Sequence, residues 1–197
     1  MLTRDQFLLP LAALRTDEAI VTTMSVVRAW GRLTRRPELD LASADSAMGH
    51  AADLALGIAL AQPQRKVISL NGDGSMLMTL GTLATIVGSG AENLVLIVVN
   101  NGTYEITGNQ PLAGAGALDF AGLARAAGFP TALSFHDPEA WADAVPSLLG
   151  ERGPIFVDVT VEPGREGPIF RTPSEESEYL RVSLFDSARV LQNALRG

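Results

Sequence analysis

The chain has 197 residues, 47% of which are apolar, and this length and composition predict one globular α/β domain, or one domain with an extension, and not a disordered chain. The formal net charge of −7 argues against a nucleic-acid partner, because phosphate backbones select basic surfaces. The absence of Cys excludes disulfides and thiolate sites and is compatible with a cytoplasmic location, and no apolar run reaches the roughly 18 residues of a membrane span.

Short apolar runs alternate with amphipathic segments along the chain. The predicted helices are 3–15, 25–35, 45–61, 75–87, 119–127, 138–149 and 183–195, and the predicted strands are 19–23, 67–70, 94–99, 131–135 and 155–161. Continuously apolar strands between helices predict a three-layer α/β fold, with a mostly parallel sheet and helices on both faces. The Gly-rich segment 102–118 is predicted to be a loop, and a loop of this length in a compact domain suggests a function.

Two polar motifs follow two of the predicted strands. Gly72-Asp73-Gly74-Ser75 follows the apolar run 67–70, and Asn100-Asn101 follows the run 94–99. Ligands of open α/β sheets bind at the carboxyl ends of the strands, so we expect the carboxylate and the amide to lie at one site.

The chemistry of these motifs suits a cation and a phosphate group. A carboxylate and an amide oxygen fit Mg²⁺, which takes few protein oxygens together with phosphate oxygens. The glycines beside Asp73 let the backbone turn sharply and approach a phosphate, and Ser75 is expected to open a helix whose free N–H groups attract anions. These residues predict a site for Mg²⁺ and a diphosphate, although Ser75 is equally compatible with a simple helix N-cap.

The paired motifs resemble the diphosphate-binding signature of thiamine diphosphate (ThDP) enzymes. Segments 46–51 and 57–61 are similar to the stretch that leads into this signature in decarboxylases of the family, and segments 100–105 and 108–111 resemble phosphonopyruvate decarboxylase and the β subunit of sulfopyruvate decarboxylase. The resemblance implies that residues 1–162 form a ThDP diphosphate-binding (PP) domain. Residues 163–197, which are richer in Gly, Pro, Glu and Arg before the last helix, are predicted to form a C-terminal arm and helix.

The resemblance implies three metal ligands in this sequence. They are the side chains of Asp73 and Asn101 and the backbone carbonyl of Thr103. Asn100 is expected to hold the turn.

The same resemblance assigns diphosphate contacts to the residues around these ligands. Gly72, Gly74, Ser75 and Tyr104 are the predicted cofactor-binding residues, the last three through their backbone N–H groups and Ser75 also through its side chain. The backbone N–H of Glu105 is also expected within reach of the diphosphate. For the side chains of Tyr104 and Glu105, a solvated position in the loop is an equal alternative.

Four further residues belong to the candidate site. Met48 matches the apolar residue that supports the bent conformation of ThDP in the family, with core packing as the alternative. His50 is the candidate catalytic residue, because a His beside the thiazolium can shuttle protons, and a structural His at a helix start, bonded to backbone, is the alternative. Thr22 and Thr23 end the first strand on the side expected for a diphosphate contact, but Thr is common in strands for its propensity alone.

The resemblance also implies a partner. In the family, a Glu on a separate pyrimidine-binding (Pyr) domain activates the cofactor, and a chain of 197 residues has room for only one of the two domains. We therefore expect a hetero-oligomer in which a Pyr-domain subunit supplies this Glu. No nucleic-acid or membrane partner is expected.

The implied activity is ThDP- and Mg²⁺-dependent decarboxylation of a small 2-oxo acid of the sulfopyruvate or phosphonopyruvate type. Arg165 and Arg171 are candidates to bind the second anionic group of such a substrate, although surface Arg side chains are usually just solvated. Two alternatives stay open, a split acetolactate-synthase-like carboligase subunit and a non-catalytic ThDP-binding protein. His136 is expected to be structural.

Overall fold

A parallel β-sheet forms the centre of the protein in this computed structural model, which describes residues 1–42, 48–170 and 172–196. The strands of the described residues are β1 (Ala19–Thr22), β2 (Asp40–Ala42), β3 (Val67–Gly72), β4 (Leu94–Asn100), β5 (Thr103–Tyr104), β6 (Gln110–Pro111), β7 (Thr131–Phe135) and β8 (Ile155–Thr160). The large sheet has the order β2-β1-β3-β4-β8-β7, and all its neighbouring strands are parallel. Strands β5 and β6 form a separate antiparallel pair.

Helices cover both faces of the sheet. They are α1 (Arg4–Leu14), α2 (Val27–Leu33), α3 (Ala51–Ala61), α4 (Asp73–Met78), α5 (Thr82–Ser89), α6 (Phe120–Ala127), α7 (Pro138–Gly150) and α8 (Leu184–Arg196). Alternate residues of β4 point to opposite faces, so that Val95 and Ile97 pack with α1, α2 and α7, whereas Leu96 and Val98 pack with α3, α5 and α6. The predicted three-layer α/β fold is confirmed.

The predicted elements differ from the structure at several places. Strand β2 was not predicted, because three residues are too few to show a periodic pattern. The predicted helix 75–87 is two helices, α4 and α5, separated by a turn at 79–81. The predicted loop 102–118 contains the β5–β6 pair.

Helix α3 begins at Ala51, after a turn at 48–50, and not at the predicted cap. That cap, at 45–46, lies outside the described residues. The predicted helix 25–35 begins instead with a 3₁₀ turn, Met24–Val26, before α2. No helix in the described parts of the chain is both long and apolar enough to cross a membrane.

A buried ion pair holds β2, the edge strand of the sheet. Arg15, which follows α1, lies 2.8 Å from the Asp40 carboxylate on β2, and the two side chains are 3% and 0% exposed. The indole N–H of Trp30 donates to the other oxygen of Asp40 at 3.1 Å. Burial raises the pKa of the Asp40 carboxyl, and the Arg15 charge opposes this rise. The pair joins α1, α2 and β2.

Loss of the Asp40 charge should destabilise the fold. Asp40→Asn keeps the shape of the side chain but leaves Arg15 buried without an anion, and breaking such a pair costs about 3 to 5 kcal/mol. Urea denaturation should show this loss as a lower midpoint at an unchanged slope. Glu38→Gln, in the exposed pair of Glu38 with Arg36, is the control and should leave the midpoint unchanged. Equal effects of the two substitutions would contradict a stabilising role for the buried pair.

Candidate functional site

The carboxyl ends of β1, β3 and β4 meet at one edge of the sheet. Strand β3 ends at Gly72, directly before Asp73, and its neighbour β4 ends at Asn100, directly before Asn101. Strand β1, on the other side of β3, ends at Thr22. We call the groups at this edge the strand-end site.

Asp73 joins the two motifs directly. Its side chain accepts a hydrogen bond from the N–H of Gly74 at 2.7 Å and another from the N–H of Gly102 at 2.7 Å. Gly102 adopts the left-handed conformation that favours glycine (φ 71°), and this turn aims its N–H at Asp73. The structure therefore brings together two motifs that lie far apart in the sequence.

The Asp73 carboxylate is a buried charge without a cationic side chain among the described residues. Asp73 is 2% exposed, and burial raises the pKa of its carboxyl, while the hydrogen bonds from Gly102 and Gly74 lower it. A buried carboxylate is costly unless a positive charge compensates it. A metal cation at Asp73 would supply that charge.

The oxygen atoms near Asp73 match a hard cation. The Asn101 amide and the Thr103 backbone belong to the loop that Asp73 holds through Gly102, so this loop brings amide and carbonyl oxygens to the segment that carries the carboxylate. Among the described residues, no three His, Cys, Asp or Glu side chains are grouped as a metal site. A cation here would complete its coordination with waters or phosphate oxygens, as Mg²⁺ commonly does.

The side chain of Asn101 is held at both ends of its amide. Its Oδ1 accepts the N–H of Thr103 at 3.0 Å, and its Nδ2 donates to Oε2 of Glu105 at 3.0 Å. Asn100 turns the other way, because its Nδ2 donates to Asp158 on β8 at 3.2 Å. Asn100 therefore binds the neighbouring strand, and the turn is held by Asp73 and Asn101.

Gly74 allows Tyr104 to approach the backbone closely. A Cβ at Gly74 would lie 2.5 Å from Cε1 of the Tyr104 ring and 3.2 Å from Leu112. The ring is therefore packed over the first turn of α4 and is not a free loop side chain. The N–H of Gly74 is engaged by Asp73, so the diphosphate contact predicted for it competes with that hydrogen bond.

Ser75 lies inside α4 and does not cap it, because the helix begins at Asp73 and its N-cap is Gly72. The N-cap alternative for Ser75 is therefore wrong. Its hydroxyl oxygen accepts the N–H of Gly49 at 2.8 Å, which leaves the hydroxyl hydrogen to donate elsewhere. Ser75 is 1% exposed, and it links α4 to the turn that carries Met48.

Met48 borders a cavity beside this turn. The cavity has a volume of about 250 Å³ and is lined mainly by apolar and aromatic residues. Its lining residues include Met24, Met48, Tyr104, Glu105 and Ile169. Met48 therefore lines a cavity and is not a fully buried core residue.

The turn after β1 carries backbone strain. Met24 has a φ of 49°, a conformation in which glycine is expected and a long side chain is not. Thr23, just before it, is fully buried, and its hydroxyl has no hydrogen-bond partner among the residues that the structure describes. A ligand oxygen at this edge could take that hydrogen bond.

The two histidines lie in different surroundings. The side chain of His50 is 63% exposed at the start of α3, and its Nδ1 lies 2.8 Å from the Asp53 carboxylate. His50 therefore bonds the side chain of Asp53, whereas its structural alternative expected a bond to backbone. His136, directly after β7, bonds the hydroxyl of Thr160 at the end of β8 at 2.7 Å, in line with a structural role.

Glu105 contributes a buried side chain that the sequence did not predict, and the solvated loop position given as its alternative is wrong. It is 3% exposed and contacts Arg4 of α1, Asn101 and the backbone of Glu166 in the C-terminal arm. The contacts with Arg4 and Glu166 span 101 and 61 residues of sequence, so no local pattern could reveal them. Arg165 is exposed and borders the same loop, whereas Arg171 lies outside the described residues.

Comparisons with known proteins agree with this geometry. The profile of the family "Thiamine pyrophosphate enzyme, C-terminal TPP binding domain" matches residues 22–159. A phosphonopyruvate decarboxylase of Streptomyces viridochromogenes is 36% identical over 139 residues, and a sulfopyruvate decarboxylase subunit beta of Methanothermobacter thermautotrophicus is 36% identical over 130 residues. These alignments cover 69% and 66% of this chain.

The chain spans only part of these relatives. The alignments cover 34% of the Streptomyces protein and 66% of the Methanothermobacter subunit. The X-ray structure of a Mycobacterium smegmatis protein classed with the thiamin diphosphate-dependent enzymes superposes with a TM-score of 0.70 at 22% identity, over 83% of this chain and 32% of that one. At this identity, the superposition supports the fold alone.

A methyl group on Gly74 should disturb the site. Gly74→Ala places a Cβ against the Tyr104 ring, and overpacking of this kind costs about 1 to 3 kcal/mol. Gly72→Ala is the matched control for stability, because the nearest atom to its Cβ is 4.0 Å away. Denaturant unfolding should show a loss for the first variant only.

The Tyr104 ring can be tested as the cause. In a Tyr104→Ala background the ring is gone, so Gly74→Ala should lose most of its effect in a double-mutant cycle. An undiminished loss in that background would mean that Gly74 is required for another reason.

Proposed function

We propose that this chain, which belongs to the thiamine pyrophosphate enzymes by the match of residues 22–159 to the family's C-terminal TPP-binding domain, binds ThDP through Mg²⁺ at the strand-end site. Residues 1–162 act as the diphosphate-binding domain, and residues 163–197 as an arm and helix. The metal ligands are Asp73, Asn101 and the carbonyl of Thr103. The observation that carries this proposal is the buried, uncompensated Asp73 carboxylate, which holds the Asn101 loop through Gly102.

The chain's own residues have separate tasks in this proposal. Ser75 donates its remaining hydroxyl hydrogen to the diphosphate, and Tyr104 offers its backbone N–H. Gly72 leaves space for a ligand beside Asp73, since only Ser75 lies within 4.0 Å of a Cβ built at Gly72. Met48 supports the cofactor from the apolar cavity.

The proposed activity is decarboxylation of a 2-oxo acid of the sulfopyruvate or phosphonopyruvate type, because relatives with these activities are similar over two thirds of this chain. The bound cofactor would supply the thiazolium that accepts the electron pair left on the substrate carbon when CO₂ departs. Arg165 is exposed beside the loop that contains Thr107 and Asn109, where it can meet a second anionic group of the substrate.

A partner subunit is part of the proposal. Glu105 is the one carboxylate among the described residues that line the cavity, and Arg4, Asn101 and Glu166 already occupy its oxygens. Glu105 is therefore not free to activate the cofactor, and a Pyr-domain subunit would supply that Glu. The Methanothermobacter relative is itself named a subunit beta.

Exposed apolar groups beside the turn at 48–50 suit such a partner. Met78 and Leu80 are 55% and 37% exposed, and Met78 packs against Gly49 in this turn. Burial of these side chains against a second chain would place that chain next to the turn that carries Met48, which lines the cavity.

Co-purification with the product of a neighbouring Pyr-domain gene, followed by product analysis, tests the activity. Release of CO₂ with an aldehyde from a 2-oxo acid supports the decarboxylase. A coupled carbon–carbon product would support the split carboligase, and ThDP binding without turnover of any 2-oxo acid would support the non-catalytic alternative.

Removal of the Asp73 carboxylate should abolish Mg²⁺-dependent ThDP binding. Outer-shell partners of a metal typically contribute 10- to 100-fold in affinity, so loss of a direct ligand should exceed about 100-fold. Calorimetry on Asp73→Ala, with Asp143→Ala on the exposed surface of α7 as the control, measures this. Unchanged cofactor affinity in Asp73→Ala would refute the site.

His50 is proposed to shuttle protons in the completed enzyme. General acid–base groups contribute about 100- to 10,000-fold, so His50→Gln should lower kcat by at least about 100-fold at unchanged ThDP affinity. His136→Gln, which changes the other histidine of the chain, is the control and should keep kcat. Equal kcat in both variants would assign His50 to its contact with Asp53 alone.

A further inference from the structure

Glu105 is a buried acceptor at the meeting point of three segments. Its Oε2 accepts Nη2 of Arg4 at 2.6 Å and Nδ2 of Asn101 at 3.0 Å, and its Oε1 accepts the backbone N–H of Glu166 at 2.9 Å. The three donors come from α1, the loop after β4 and the C-terminal arm. A carboxylate suits this place because it accepts at both oxygens and donates at neither.

The hydrogen bond from Asn101 sets the direction of its amide. An Asn side chain can present either its oxygen or its NH₂ group to a neighbour, and the two arrangements differ by a rotation of the amide. Glu105 accepts only, so the NH₂ group must face it, and the oxygen faces the N–H of Thr103. The oxygen is thereby held on the turn that Asp73 also holds.

The C-terminal arm is seated on the same carboxylate. Besides the Glu166 N–H, a Cβ built at Gly164 would collide with Oε1 of Glu105 and with the Arg4 guanidinium, so the arm passes directly over the ion pair. Asn109, in the loop that follows Glu105, donates to the carbonyl of Gly164 at 3.0 Å.

Arg28 on α2 clamps the next part of the arm. It donates to the carbonyls of Gly167 and Pro168 at 2.7 and 2.6 Å, and it binds both oxygens of Glu175 at 2.9 Å. The hydrogen bond that Arg28 donates to Glu175 raises the pKa of the guanidinium. These contacts hold the arm without touching Asp73 or Asn101.

We propose that Glu105 is a positioning residue that couples the seating of the C-terminal arm to the orientation of the Asn101 amide. When the arm leaves, Oε1 loses the Glu166 N–H, the carboxylate rearranges toward Arg4, and the NH₂ group of Asn101 loses its fixed acceptor. The expected effect on binding of a divalent cation rests on the proposed function, whereas the coupling between the arm and the Asn101 amide does not.

The coupling must act in both directions. If a seated arm favours the Asn101 orientation that binds a cation, then cation and cofactor must favour the seated arm by the same factor. The arm would then report the occupancy of the strand-end site to the surface of the protein.

Two neighbouring glycines of the arm provide the test. Gly164→Ala should unseat the arm by collision with Glu105 and Arg4, whereas nothing lies within 4 Å of a Cβ at Gly167, so Gly167→Ala is the matched control. Two signals are measured on the full chain by NMR, the side-chain NH₂ resonances of Asn101 and hydrogen exchange at the N–H of Glu166. In Gly164→Ala, exchange should rise at least tenfold and the Asn101 resonances should move, and in Gly167→Ala neither should change.

A second variant disturbs the arm at a different contact. Arg28→Gln removes the clamp, and it should move the Asn101 resonances although Arg28 does not contact Asn101. Arg152→Gln, the same substitution at an exposed position before β8, should not. Two results in Gly164→Ala and Arg28→Gln would overturn the coupling. One is faster exchange at the N–H of Glu166 while the Asn101 resonances stay in place. The other is an N–H of Glu166 that stays protected from exchange in both variants.

Calorimetry with ThDP and Mg²⁺ separates this inference from the proposed function. In Gly164→Ala the affinity should fall about fivefold or more, within the usual range of coupling between sites. Absence of ThDP binding by the unsubstituted chain and its partner would refute the proposed function, and the Asn101 resonances would still decide the coupling. Binding of equal affinity in Gly164→Ala and Gly167→Ala would overturn the link between arm and cation.

Discussion

One buried carboxylate organises the strand-end site. Asp73 accepts an N–H from its own turn and another from Gly102, so the ends of β3 and β4 are fixed relative to each other. The parallel pairing of these strands brings the two loops to the same edge, and Asp73 turns this proximity into a contact. Its two acceptor oxygens keep further lone pairs, which is what a metal ligand requires. The same residue therefore stabilises the turn and creates the local demand for a cation.

The rest of the site combines close approaches to the backbone with one strained backbone position. Tyr104 lies over Gly74, the arm crosses Glu105 at Gly164, and Met24 takes a backbone conformation that glycine usually adopts. Strained backbone persists only where surrounding contacts hold it, and it concentrates at functional sites. Here it borders the cavity that Met24 and Met48 line. Small changes of volume at these positions should therefore affect ligand binding more than they affect the sheet.

The sequence predicts the sheet and the location of the site because both depend on local patterns. Runs such as 94–99 are apolar enough to mark buried strands, and the motifs after β3 and β4 mark the strand ends. Contacts made only in the folded chain are different. The break between α4 and α5 accompanies hydrogen bonds from Thr79 and Thr82 to Gly49 and Asp53, residues about 30 positions earlier. In the same way, nothing local to Glu105 indicates that Arg4 and Glu166 will meet there.

The most direct test of this account is calorimetric titration of ThDP, with and without Mg²⁺, into the chain alone and into the chain purified with the product of a neighbouring Pyr-domain gene. The account predicts binding that requires Mg²⁺ and that appears or tightens strongly when the partner is present. Binding that is equally tight without Mg²⁺ would contradict the role of Asp73 and Asn101. Tight binding by the chain alone, unchanged by the partner, would contradict the two-subunit arrangement, and no binding in either preparation would contradict the cofactor site itself.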